Sequence, residues 1–415
     1  MTASDATRRA FVEQLLAFDT TDGQEAPAQD WFETQLAECG FETYRWEADP
    51  ERLAAHPSFP DDPDEIETAG RPNIAGVLEL GSGEGPTLLY NGHVDVVPAE
   101  ADQWSADPFE PTWNGERLTA RGAADMKSGL AACVFAAREL ADANGDLDGR
   151  VIVESVAGEE EGGIGAASRV KERPYPFEPD AAIIAEPTSL EPVIATEGTL
   201  MKRLSITGRS AHAATPWHGE SVLPHFERVR KALAELEAER ARDVTHPLYE
   251  EFPTPWPIVA GTLSAGSWAS SVPARLESEF RIGVAPGETV EEVEAAVDSR
   301  LAGVAEESSW LAEHPPEFER FSVQFEPAEI PSDEPIVRAV RDTLDAAGRD
   351  SAVRGATYGT DARHYIAAGI PTVVFGPGSV QQAHFPEESI DWAEVVEAVD
   401  LFERAGTAFL TRSTR

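Results

Sequence analysis

The sequence predicts an α/β fold, built on a mostly parallel sheet into which a smaller βαββαβ unit is inserted. Three observations carry this reading. Short apolar runs alternate with amphipathic helical stretches through residues 1–197 and again over 328–415. Between them, over residues 198–327, the order changes to strand, helix, strand, strand, helix, strand, a ferredoxin-like plan. Clusters rich in Gly, Asp, Glu and His also directly follow the apolar runs, where an open α/β sheet opens its ligand crevice.

Residues 8–20 and 27–39 place apolar side chains at helical spacing and are expected as helices. Residues 50–72, rich in Pro, Asp and Glu, are expected as a surface loop. Strands are expected at 87–90, 151–153, 182–184 and 372–375. A helix at about 126–141 would carry Met126, Leu130, Val134, Ala137 and Leu140 on one face. In the inserted unit, strands are expected at 199–207, 257–263, 275–284 and 321–326, with helices at 220–240 and 288–302. A helix at about 333–347 returns the chain to the first unit.

The length of 415 residues suits about two domains, and 41% hydrophobic residues can fill their cores. The net charge of -42 argues against binding to nucleic acid or to an anionic membrane. The only lysines are Lys127, Lys171, Lys202 and Lys231, and the remaining basic residues are arginines. This composition is expected of a halophilic protein, since molar salt screens self-repulsion over about 3 Å. A melting midpoint that rises from low to molar KCl is the expected sign. Cys39 and Cys133 are too few for a disulfide framework. No N-terminal apolar signal core and no run near 18 apolar residues appear, so a cytoplasmic protein without membrane spans is expected.

His93-Val94-Asp95 follows the first expected strand of the sheet, and Gly158-Glu159-Glu160-Glu161-Gly162-Gly163 the second. Glu186-Pro187-Thr188 follows the third, and a Gly-rich loop ending in His384-Phe385-Pro386 the fourth. Arg121-Gly122-Ala123-Ala124-Asp125-Met126-Lys127 opens the 126–141 helix. Taken singly, each has an ordinary explanation: a structural histidine, a solvated acidic run, a helix N-cap at Asp125 or a turn at Glu186. Together they bring two imidazoles and several carboxylates to one crevice. That mixed nitrogen and oxygen donor set suits zinc, cobalt or manganese. So many carboxylates in one place also call for cations to neutralise them.

These motifs resemble the signatures of the M20 metallopeptidases, a group that includes deacetylases, desuccinylases, aminoacylases and carboxypeptidases. The resemblance covers nearly the whole chain, in order, with the insertion in the matching place. It implies a catalytic domain at 1–197 and 328–415 and a dimerisation or lid domain at 198–327. It also implies two divalent ions, with zinc the first expectation. Asp125 would bridge them, His93 and Glu186 would complete one site, and Glu160 and His384 the other. Asp95 would orient His93, an arrangement that also makes physical sense because a ligating imidazole usually donates its second N–H. Glu159 would be the general base. Gly208-Arg209-Ser210-Ala211-His212 resembles the family loop whose histidine reaches the partner subunit's active site, which implies a homodimer.

The implied reaction is hydrolysis of the amide bond of a small N-acyl amino acid by activated water. A dipeptidase or carboxypeptidase is the alternative within the family, and a metal-bound binding protein without turnover the alternative outside enzymes. The insertion departs from the family pattern at Gly219-Glu220-Ser221 and Ser270-Ser271-Val272-Pro273. The usual substrate-binding arginine before a Pro-Gly turn is replaced by Gly283, with Arg281 two residues earlier on the same strand face. Arg281 is therefore a candidate for substrate binding or for a structural ion pair. Asp361 and Arg363, in Gly359-Thr360-Asp361-Ala362-Arg363, are candidates for lining the crevice, with helix N-capping as the plain reading of Asp361.

Overall fold

The computed structural model describes residues 4–143 and 147–412, so residues 1–3 of the N-terminal stretch lie outside it. The chain forms two compact units: 1–194 with 329–354 and 360–415, and 195–328 with 355–359.

The first unit is built on a large mixed sheet. Its core runs Gly149–Val156, Thr87–His93, Ala181–Ile184, Thr372–Val374, and these neighbours pair in parallel. Pro72–Leu80 and Glu42–Glu47 extend one side antiparallel, and Val193–Thr196 adds an antiparallel neighbour to Thr372–Val374. Every residue of Thr87–His93 is buried, as expected of a parallel strand covered on both faces. The cover includes Lys127–Ala143, Pro335–Ala346 and Trp392–Arg412, and the Tyr90 hydroxyl donates to the Phe402 carbonyl at 2.7 Å. Gly129 lets the helix Lys127–Ala143 approach the strand end: a Cβ there would lie 2.2 Å from the Ala185 carbonyl oxygen.

The second unit has strand order Ile258–Ala260, Arg275–Val284, Gly198–Thr207, Glu317–Arg320, all antiparallel. This is the ferredoxin-like arrangement. Leu200, Leu204, Ile206, Leu276, Phe280 and Ile282 alternate inward along the two long strands. They meet Phe226, Val229 and Leu233 of the helix Leu223–Asp243 and Val293 and Val297 of Val290–Glu306. Burying each of these large side chains contributes about 1.5–3 kcal/mol. Thr289 starts the second helix with a capping box to Glu292.

Three expectations need correction. The first helix spans Asp5–Leu16, because the Ser4 hydroxyl caps it by accepting from the Thr7 amide. The 50–72 segment is no mere surface loop: it holds the helix Pro50–Ala54 and the turn Pro63–Glu65, and it buries Leu53, Phe59 and Ile66. The last strand of the insertion is Glu317–Arg320, not 321–326. Ser322 adopts a left-handed φ of 56° that ends the strand, and Phe325 makes only an isolated bridge to Thr199. Among the described residues no helix is long and apolar enough to cross a membrane.

Candidate metal centre

His93 is the last residue of Thr87–His93, and Glu186 lies two residues beyond Ala181–Ile184. Asp125 precedes the helix Lys127–Ala143, and the Asp125–Met126 peptide is cis. Glu159 and Glu160 follow Gly149–Val156 in a tight loop, where the Gly163 amide donates to the Gly158 carbonyl at 2.9 Å. His384 sits in the loop after Thr372–Val374 with a left-handed φ of 61°.

These side chains form two donor clusters that share Asp125. In one, His93 Nε2 lies 3.1 Å from Asp125 Oδ1 and 3.7 Å from Glu186 Oε1. In the other, His384 Nε2 lies 2.9 Å from Glu160 Oε1 and 3.7 Å from Asp125 Oδ2. His93 Nδ1 is 2.9 Å from the Asp95 backbone carbonyl and 3.7 Å from its carboxylate. The carbonyl rather than the carboxylate is thus the acceptor that orients the imidazole. The carboxylate instead accepts from the Glu160 amide at 3.0 Å and so ties the two clusters together.

The electrostatics show a site overloaded with negative charge. Burial, then Asp361 and Glu186 nearby, hold Glu159 well above the usual carboxylate range. Burial likewise raises Glu186 and Glu160. Burial opposes a charged His93, yet Asp125, Glu186 and Asp95 around it hold its pKa well above that of an ordinary imidazole. The hydrogen bond that His384 donates to the Glu160 carboxylate raises the pKa of His384. Two imidazoles among these carboxylates fit a pair of divalent cations.

Sequence reasoning missed the groups that shape the site. Buried Glu388 accepts from the amides of Gly122, Ala124 and Asp125 at 3.0, 2.7 and 2.9 Å, and from Arg121 Nη1 at 2.7 Å. It thereby fixes the turn that presents Asp125. Arg71 pairs with buried Glu25 and, at 2.7 Å, with Glu161, bracing the loop that carries Glu159 and Glu160. Arg71 stands apart from every motif, and Glu388, four residues after His384, gains its role only through partners distant in sequence.

The remaining candidates divide between the units. Asp361 and Arg363 are buried in the first unit, where Arg363 Nη2 donates to the Gly162 carbonyl at 2.6 Å. In the second, Arg281 pairs with buried Glu197 at 3.0 Å and donates to the Thr357 carbonyl at 3.1 Å, the geometry of a structural ion pair. His212 is exposed on its loop, and its Nδ1 accepts from the Ala214 amide at 3.0 Å, which leaves Nε2 as the protonated nitrogen.

A family model described as Peptidase family M20/M25/M40 matches residues 89–407. The acetylornithine deacetylase of Proteus mirabilis is 33% identical over 79% of this chain and 80% of its own length. The N-formyl-4-amino-5-aminomethyl-2-methylpyrimidine deformylase of Halalkalibacterium halodurans is 28% identical over 94% of this chain and 91% of its own. In fold, the chain is similar to an M20 family metallo-carboxypeptidase from Sulfolobus solfataricus, with a TM-score of 0.75 over 99% of this chain and 100% of the other at 15% identity.

Proposed function

The chain belongs to peptidase family M20/M25/M40, a family of metal-dependent hydrolases, and on that premise we propose that it deacylates a small N-acyl amino acid or amine. The observation that carries this reading is the pair of donor clusters sharing Asp125, with Glu159 beside Glu160 but outside both. The two relatives with the deacetylase and deformylase names support acyl removal over peptide cleavage.

In this reading His93, Asp125 and Glu186 would hold one divalent ion and Asp125, Glu160 and His384 the other, with zinc the first choice and cobalt or manganese also suited. Such ions supply polarisation of the carbonyl and acidification of water. Glu159 takes a proton from the attacking water as the oxygen bonds to the carbonyl carbon. The C–N bond then breaks, and Glu159 returns that proton to the leaving nitrogen. Asp95 keeps His93 and the Glu160 loop in register. His212, with Nε2 protonated, is the donor to the oxyanion. Its action across a homodimer interface is in keeping with Trp217 and Trp268, 71% and 73% exposed in the same unit. Arg363 and Asp361 are the candidates for substrate contact, while the pairing of Arg281 with Glu197 favours its structural role, and the acidic composition fits a halophile's cytoplasm.

The test is amine release from N-acetyl, N-formyl and N-succinyl amino acids and from dipeptides, in molar KCl with zinc or cobalt and a chelated control. Chelator-sensitive hydrolysis of an N-acyl class is expected. Cleavage of dipeptides alone would replace this reading with the peptidase one.

A further inference from the structure

We propose that Asp361 determines specificity: its carboxylate takes a second, positively charged nitrogen on the substrate, so the preferred substrates are N-acyl compounds that also carry a free basic group. This rests on the deacylase reading above and deepens it.

Asp361 is 1% exposed, and among the described residues no donor reaches either of its oxygens. A buried carboxylate normally finds partners, because leaving it bare is expensive. The plain explanation, an N-cap, does not hold. Asp361 stands at the N-cap of Ala362–Ala367 but makes no side-chain cap bond, and the Thr360 hydroxyl accepts from the Ala362 amide instead. Nor does Asp361 belong to either donor cluster.

Its position is beside the chemistry. Gly163 closes the loop that carries Glu159, and a Cβ on Gly163 would lie 2.5 Å from Asp361 Oδ1. Only glycine leaves room for the carboxylate there. His93 and Glu159 lie within its electrostatic reach.

The nearby arginines are committed elsewhere. Arg363 Nη2 donates to the Gly162 carbonyl at 2.6 Å, and Arg121 Nη1 to Glu388 at 2.7 Å. A substrate carboxylate thus meets arginines already engaged, whereas a substrate ammonium meets a carboxyl group with no hydrogen-bond partner. A charge-assisted N–H···O bond in so buried a place discriminates strongly against an analogue lacking the nitrogen.

The experiment compares kcat/KM for N-acetylornithine, N-acetylnorleucine and N-acetylglutamate in the metal-loaded protein. Norleucine replaces the terminal ammonium by a methyl group. The expected order is basic, neutral, acidic, with the basic compound favoured at least about tenfold over the neutral one. In Asp361→Asn that ratio falls about tenfold or more. No preference in the unaltered protein, or an equal loss on all three substrates in Asp361→Asn, overturns the proposal. Calorimetric binding of free ornithine and norleucine to the metal-loaded protein needs neither turnover nor the variant. Tighter binding of ornithine by about tenfold is expected, and equal binding overturns the assignment. Absence of hydrolysis on all three compounds together with selective ornithine binding would sink the deacylase reading and leave Asp361 standing.

Discussion

His93 and His384 stand in the same relation to Asp125 but in opposite surroundings. His93 is 1% exposed at the end of a buried parallel strand, its ring held by the Asp95 carbonyl at 2.9 Å. The His384 side chain is 53% exposed on a loop whose backbone is left-handed at that residue. One half of the site is therefore built by the sheet itself, the other by a loop laid across it. A rigid, desolvated half should hold its ion tightly, and an exposed half should exchange it more readily. The difference teaches that two clusters with similar donors need not be equal partners.

The largest effect should come from Asp125, which the two halves share. Asp125→Ala is expected to lose both ions and to lower turnover by about 1,000-fold or more, because several kcal/mol of charge stabilisation go with them. Metal analysis of the purified variant checks this, and retention of two ions would show that the halves are independent. Next, His93→Ala should lower both metal content and melting temperature. His384→Ala should cost one ion with little change in melting. Added imidazole should restore activity to the His384 variant, whose site is open, and not to the His93 variant. Equal rescue would erase the distinction.

A smaller effect is expected from Glu388→Gln, which keeps the shape but weakens the hold on the Gly122–Asp125 turn. A loss of about 10- to 100-fold in metal affinity or activity is predicted, with both clusters affected. The smallest effect is in pH dependence. His93, His384, Glu160 and Glu186 all have raised pKa values in the folded metal-free chain. Each then contributes stability at low pH that is lost as pH rises through its folded value. Metal ions must displace those protons. The rise in melting temperature on adding zinc should therefore grow between about pH 5 and pH 8. A thermal shift that is flat with pH would contradict these directions. In His384→Ala the dependence should be shallower, since one titrating ligand is gone.

Much of this arrangement was legible in the sequence, for a physical reason. Where a strand ends in His93-Val94-Asp95, or a Gly-bracketed loop carries Glu159 and Glu160, local chain geometry alone fixes where the donors emerge. The βαββαβ order was legible because alternation in Gly198–Thr207 and Arg275–Val284 has a clean period of two. The strand at Glu317–Arg320 was missed because a second alternating run, out of phase, follows Ser322. Glu388, Arg71 and Glu25 were illegible for a different reason. Each acts through partners that are distant in sequence, such as Glu388 with Asp125 and Arg71 with Glu161. The unpaired state of Asp361 is likewise a property of packing, and Thr360 takes the capping role that the sequence offered to Asp361.

The most direct test of the central claim pairs turnover with metal content in Glu159→Gln. Glu159 lies outside both clusters, so the variant should retain both ions per chain and the fold of the parent. Hydrolysis of the best N-acyl substrate should fall by about 100- to 10,000-fold, the range for removing a general acid–base. Turnover near the parental rate with both ions bound would contradict the assignment of Glu159 as the proton carrier, and with it the account of how this site cuts an amide.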